Sequence, residues 1–109
     1  MIFFSNALYA FDMKDVVAYP VPFNPGKNTL KIGYPSGYTV PTGYRLNVEI
    51  FDINGDLVTK KAGNQMPVVW NGRSGNGKFV KPGLYILRVE IENDAGDYGK
   101  NTIRILVDY

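Results

Sequence analysis

Three glutamates, one turn rich in side-chain oxygens and one glycine-rich stretch are the residues of this chain whose types and spacing could do chemistry. Glu49, Glu90 and Glu92 could supply the carboxylate pair that glycoside hydrolysis needs. Asp52-Ile53-Asn54-Gly55-Asp56 offers side-chain oxygens at alternate positions, as the first half of a calcium loop does. Gly72-Arg73-Ser74-Gly75-Asn76-Gly77 has the glycine content of a phosphate-cradling loop. Each falls short of its chemistry. The glutamates alternate with apolar residues, which puts them on the solvent face of strands, where an acid near Arg88 or a lysine is an ordinary cross-strand partner. The calcium pattern lacks the terminal bidentate acid and the loop length. The glycine stretch lacks both a Gly-Lys-Ser/Thr ending and a following helix. Histidine and cysteine are absent altogether, which removes the commonest proton shuttle, the thiol nucleophile and most zinc ligands. The expectation is a domain that is not an enzyme, with no catalytic residue, no metal and no cofactor.

The elements that position these residues are β-patterned almost throughout. Val16 to Tyr19 is a first short run, closed by Pro20-Val21-Pro22-Phe23-Asn24-Pro25-Gly26, where the prolines forbid a ladder and predict a rigid extended crossing. Thr29 to Tyr34 alternates, with Leu30, Ile32 and Tyr34 on one face, and Pro35 to Gly43 reads as the connection between two sheets. Leu46, Val48 and Ile50 alternate with Asn47 and Glu49. Asn54-Gly55 between two such runs predicts a hairpin through a type I′ turn, with Leu57 to Lys61 returning. Val68-Val69-Trp70 precedes the second turn region, where Gly72 and Gly77 are free to take left-handed conformations. Lys81-Pro82-Gly83 predicts a type II turn, with Pro82 and Gly83 at its centre. After it comes the longest strand, with Tyr85, Leu87, Val89 and Ile91 on one face, and a hairpin through Asn93 to Asp97 into Tyr98 to Val107. About seven strands with two inward faces predict an all-β fold, an Ig-like antiparallel β-sandwich.

Trp70, beside Val68 and Val69 and ahead of a glycine turn, is expected to plug the core with Leu46, Val48, Ile50, Tyr85, Leu87 and Val89. Tyr38, Tyr44, Phe79 and Tyr98 lie near loops or strand ends and are the candidates for an exposed aromatic platform that would make carbohydrate a ligand class.

At 109 residues the chain fits one domain, and its net charge of +2 with scattered basic residues argues against nucleic acid as a partner. The first ten residues are apolar and end in small side chains. They read as the tail of a secretory signal, cleaved after Ala7 or Ala10, or alternatively as a short N-terminal strand, with the sandwich over 11–109. No run reaches membrane-spanning length.

Tyr19-Pro20-Val21-Pro22-Phe23-Asn24-Pro25, the Leu46 to Gly55 hairpin, Trp70-Asn71-Gly72 with Gly77, and Pro82-Gly83-Leu84-Tyr85 together resemble the FlgD-like immunoglobulin-type domain, and the related sorting domains of type IX secretion share much of this pattern. The resemblance implies an exported or cell-envelope bacterial module, and a sandwich that leaves strand edges predicts binding of other proteins through edges and loops, with Val16 to Tyr19 or Tyr98 to Val107 as the candidate edges. Because Arg104 to Tyr109 lacks the basic tail common in sorting domains, the sorting role is set second to a general accessory role. Two alternatives stand beside it: self-assembly with Ile2 to Phe11 donated as a strand to a neighbouring copy, and carbohydrate binding.

Overall fold

The computed structural model describes residues 16–33, 43–64, 66–96 and 98–109. Seven strands follow one another in the chain: β1 (Val17–Tyr19), β2 (Leu30–Gly33), β3 (Tyr44–Asp52), β4 (Leu57–Gly63), β5 (Val68–Trp70), β6 (Gly83–Asn93) and β7 (Tyr98–Val107). They form two antiparallel sheets, ordered β1-β2-β5 and β4-β3-β6-β7. The expected sandwich is the one observed.

Alternation in sequence becomes alternation in burial. Along β6, Tyr85, Leu87, Val89 and Ile91 are buried, while Ile86, Arg88, Glu90 and Glu92 lie on the other face, only partly covered. β3 supplies Leu46, Val48 and Ile50 to the same interior. The smaller sheet answers with Leu30, Ile32, Val68 and Trp70, and Phe23 enters from the proline-rich crossing. Burying a side chain of this size contributes about 1.5–3 kcal/mol, and among the described residues no polar or charged side chain is buried beside them.

Four local expectations need correction. The β3–β4 hairpin forms, but not through a type I′ turn, because Gly55 (φ 86°) has positive φ and Asn54 does not. Instead Gly55 N–H donates to the Asp52 carbonyl at 3.0 Å, and Asp52 N–H donates to the Asp56 carbonyl at 3.0 Å. This is a three-residue loop, a type I turn closed by a left-handed glycine. The Asp52 carboxylate explains the choice, since its Oδ1 accepts from Asn54 N–H at 2.9 Å and from Asp56 N–H at 3.0 Å. Gly83 has φ 146° rather than the value near 80° of a type II turn, and it is already the first residue of β6, paired with Val107. The crossing after β1 also makes one ladder contact despite its prolines. Phe23 bridges in parallel to Val107, donating to the Leu106 carbonyl at 2.8 Å and accepting from Asp108 N–H at 2.9 Å. Its flanking proline bonds, Tyr19–Pro20 and Val21–Pro22, are cis. Gly33, placed with the outward residues of its strand, is buried against Met66 and Pro67. Tyr34 and the connection from Pro35 lie outside the described residues, as do the first ten residues.

Candidate functional site

The loop between β5 and β6 is built around Trp70. Its ring is fully buried, 5.6 Å from that of Phe23 and 6.2 Å from that of Tyr85, and its indole N–H donates to the Arg73 carbonyl at 2.9 Å. The one polar atom of the plug is thereby satisfied, as burial requires. Arg73 then organises the loop tip. Its backbone N–H donates to Asn71 Oδ1, its guanidinium donates to the Gly77 carbonyl at 2.7 Å, and it lies 4.0 Å over the Phe79 ring. Gly77 (φ 84°) turns the tip, and Val80 N–H closes the loop onto the Gly72 carbonyl at 2.9 Å. Gly72 (φ 80°) has no room for a side chain, since a Cβ there would stand 2.5 Å from Pro25 Cβ. The glycines shape a scaffold, and the loop's backbone bonds run within itself apart from Gly75 N–H, which donates to the Val58 carbonyl at 3.0 Å.

Beside this loop an open hollow of about 440 Å³ is bordered by Asp52, Val58, Ser74, Phe79 and Tyr85, among others. Its polar groups are largely engaged. Asp52 caps the hairpin turn, and the Tyr85 hydroxyl donates to the Lys81 carbonyl at 2.7 Å. Burial first, then the charges of Tyr109 and Asp52, hold the Tyr85 phenol above its ordinary value. Among the described residues no three histidine, cysteine, aspartate or glutamate side chains gather as a metal site would require.

The glutamates lie on the outer face of the four-stranded sheet, in a row of ion pairs. Arg88 binds Glu49 through both Nε, at 2.9 Å, and a terminal guanidinium nitrogen, while Lys60 stands 3.9 Å from the other Glu49 oxygen. Glu90 accepts from the Tyr98 hydroxyl at 2.6 Å and lies 4.0 Å from Arg88 Nε. The hydrogen bond to Glu90 raises the Tyr98 phenol, and the hydrogen bond to Glu49 raises the Arg88 guanidinium. Glu92 pairs in register with Arg45 and Tyr98. These acids sit on the outer sheet face with guanidinium and phenol partners, an arrangement that positions charges across strands beside a hollow of about 340 Å³ bordered by Asn47, Glu49, Lys60, Lys61 and Glu90.

Among the described residues the aromatic candidates are not brought together. Tyr44 is half-buried and packs against the core, whereas Tyr98, near it in the sheet, is exposed on the outer face. Phe79 lies at the far end beneath Arg73, and Tyr38 falls outside the described residues. Of the other residues singled out from sequence, Asn54 and Pro82 are exposed in turns, and Leu46, Val48, Ile50, Leu87 and Val89 are fully buried.

The Tyr98 to Val107 edge expected from sequence is an edge of the larger sheet, and the structure adds its register. β7 is the last strand of the larger sheet, and its pairing with β6 runs from Tyr98 to Val107 without a register shift. The Phe23 contact uses the Leu106 carbonyl and Asp108 N–H, so even-numbered residues direct their backbone groups away from β6. Alternation of residue types marks the two faces of a strand, but only the register tells which backbone groups face outward.

A family model described as a secretion system C-terminal sorting domain matches residues 17–103. No curated protein matches the chain. Among solved structures, PorZ of Porphyromonas gingivalis, described as an essential bacterial surface component of the type-IX secretion system, superposes with a TM-score of 0.66 at 25% identity over 92% of this chain. The chain spans only 12% of PorZ. Latent dimeric PorU of the same organism gives 0.55 at 21% identity, over 86% of this chain and 9% of its own. CopC of Methylosinus trichosporium OB3b gives 0.53 at 14% identity, over 85% of this chain and 93% of its own, a likeness of fold alone. The sorting-domain side of the resemblance is the one matched, so the lower rank given to sorting for want of a basic tail is corrected.

Proposed function

Since the chain belongs to the secretion system C-terminal sorting domain family, we propose that it is the part of an exported protein by which the type IX secretion system recognises that protein and carries it outward. An exported location, at the cell surface or in the medium, follows from the family. The family is one of targeting and not of catalysis. The single observation that carries the proposal is the family match itself, which runs from the start of β1 into β7. The open sheet with its paired acids supports a protein-binding role through edges and loops, as does a loop held rigid around Trp70 and Arg73. The kinship with FlgD-like domains is, on this reading, one of shared scaffold.

The test is a fusion. The 109-residue chain is attached to the C-terminus of a fluorescent reporter carrying a Sec signal, in a bacterium that possesses a type IX system. The reporter is expected outside the outer membrane, and in the periplasm when the system is deleted. Periplasmic retention in both strains would refute the proposal.

A further inference from the structure

The edge of β7 has a feature that the sorting reading leaves unused. Phe23 covers its end at Leu106 and Asp108. Further back, the outward backbone groups of Lys100 and Arg104 and the Thr102 carbonyl have no partner among the described residues, and the Thr102 N–H is met only by the side chain of Asn101, at 2.9 Å. The other edges are poorer templates. β1 and β5 are three residues each. β4 is interrupted by a register shift near its start and partly covered where Gly75 N–H donates to the Val58 carbonyl. An edge of this length that is unpaired among the described residues invites an added strand, and the isolated bridge at Phe23 shows that its end accepts backbone bonds.

The side chains along this edge indicate what kind of strand. Lys100 and Arg104 are exposed on the outer face, four residues apart, with no ion pair among the described residues. Glu90 is opposite Lys100 in register but is engaged by Tyr98 and Arg88. A second copy is a poor occupant. The antiparallel register centred on Thr102 would set Lys100 of one copy opposite Arg104 of the other, a like-charge pairing that destabilises a sheet. We propose that the β7 edge from Lys100 to Arg104 takes up, as an added strand, an extended segment of a partner protein carrying two acidic residues four apart. This deepens the protein-recognition reading and rests on it for the partner being a protein.

The experiment uses the 109-residue chain and a labelled nine-residue peptide of alternating valine and polar residues, with glutamates at its third and seventh positions. A second peptide carries lysines there. The glutamate peptide is expected to bind about tenfold or more tightly than the lysine peptide, from two cross-strand charge pairs made and two repulsions avoided. The difference should shrink in molar salt. On binding, the amides of Lys100 and Arg104 should gain protection from hydrogen exchange, while those of Asn101 and Ile103, already held by β6, should not change. Thr102→Pro places the ring on the outward side and leaves the β6 ladder whole, so it should abolish binding with the melting transition retained. Lys100→Glu with Arg104→Glu, which leaves that backbone intact, should reverse the preference between the peptides. Equal binding of both peptides, no binding, or protection without the two-residue alternation would overturn the inference. Loss of peptide binding with reporter export intact overturns the edge alone, and loss of export with peptide binding intact overturns the sorting reading alone.

Discussion

Gly72, Gly55 and Gly77 adopt nearly the same backbone conformation, with φ of 80°, 86° and 84°, in very different surroundings. Replacing each in turn by alanine therefore separates conformational strain from crowding. Placing a Cβ in the left-handed region costs about 1–2 kcal/mol at any of the three. At Gly55 and Gly77 nothing stands within 4 Å of the new atom, so that cost is the whole expected effect. At Gly72 the Cβ would lie 2.5 Å and 2.6 Å from two carbons of the Pro25 ring and 3.4 Å from Phe23. Pro25 is buried and its ring has no rotamer that moves it aside, so about 1–3 kcal/mol of overpacking is added. The sum for Gly72→Ala is about 2–5 kcal/mol, a large part of the roughly 5–15 kcal/mol that holds a domain of this kind. Urea unfolding at constant slope reads the three values from their midpoints. Pro25→Gly should relieve part of the Gly72→Ala penalty, giving a coupling of about 1 kcal/mol or more. Equal losses at Gly72, Gly55 and Gly77 would refute the argument, because they would mean that the Pro25 ring does not press on Gly72.

Trp70→Ala should cost about 3–5 kcal/mol as a cavity between Phe23 and Tyr85, and a loss below about 1 kcal/mol by denaturant titration would contradict its burial. Gly55→Val should weaken the β3–β4 hairpin beyond the alanine variant, since a β-branched residue tolerates positive φ poorly, and an unchanged melting temperature would count against the turn assigned here. Glu49→Ala removes the partner of a half-exposed Arg88 and should lower the melting temperature only slightly, so a large drop would mark the row as more than a surface network. Tyr85, through burial, and Tyr98, through its bond to Glu90, ionise less readily folded than unfolded. Their contribution to stability is therefore whole below the ordinary tyrosine value of about 10 and is lost as pH rises through their higher folded values. Tyrosinate absorbance in native protein should show late-titrating phenols, fewer in Tyr98→Phe, whereas uniform titration would contradict both shifts.

The strands that bury one face were legible from residue types alone. Leu46, Val48 and Ile50 against Asn47 and Glu49, and Tyr85 through Ile91 against Ile86 through Glu92, could sit only one way in a sandwich. Turn geometry was less legible, because it was decided by groups outside the dipeptide. The Asp52 carboxylate binds two backbone amides and converts an Asn-Gly turn into a longer loop, and pairing with Val107 draws Gly83 into a strand. The aromatic candidates failed to assemble for a related reason. Proximity to a strand end does not say which face a residue takes, and Tyr44 and Tyr98 took opposite ones. The β7 edge was legible as a candidate, but which of its amides and carbonyls face outward was not, since that depends on register and leaves no mark in residue type.

The parallel contact between Phe23 and the end of β7 also governs when the sandwich can close during synthesis. Phe23 is completely buried, and its two backbone bonds go to Leu106 and Asp108. A ribosome adding about 5–20 residues per second needs roughly 4–17 s to travel from codon 23 to codon 108. Throughout that interval the crossing that carries Phe23 lacks the backbone partners that fix it, and β6, once made, is paired only with β3 until β7 follows. The sandwich therefore stays incomplete at the Phe23 crossing until translation of this region is finished, whatever other strand pairs have already formed.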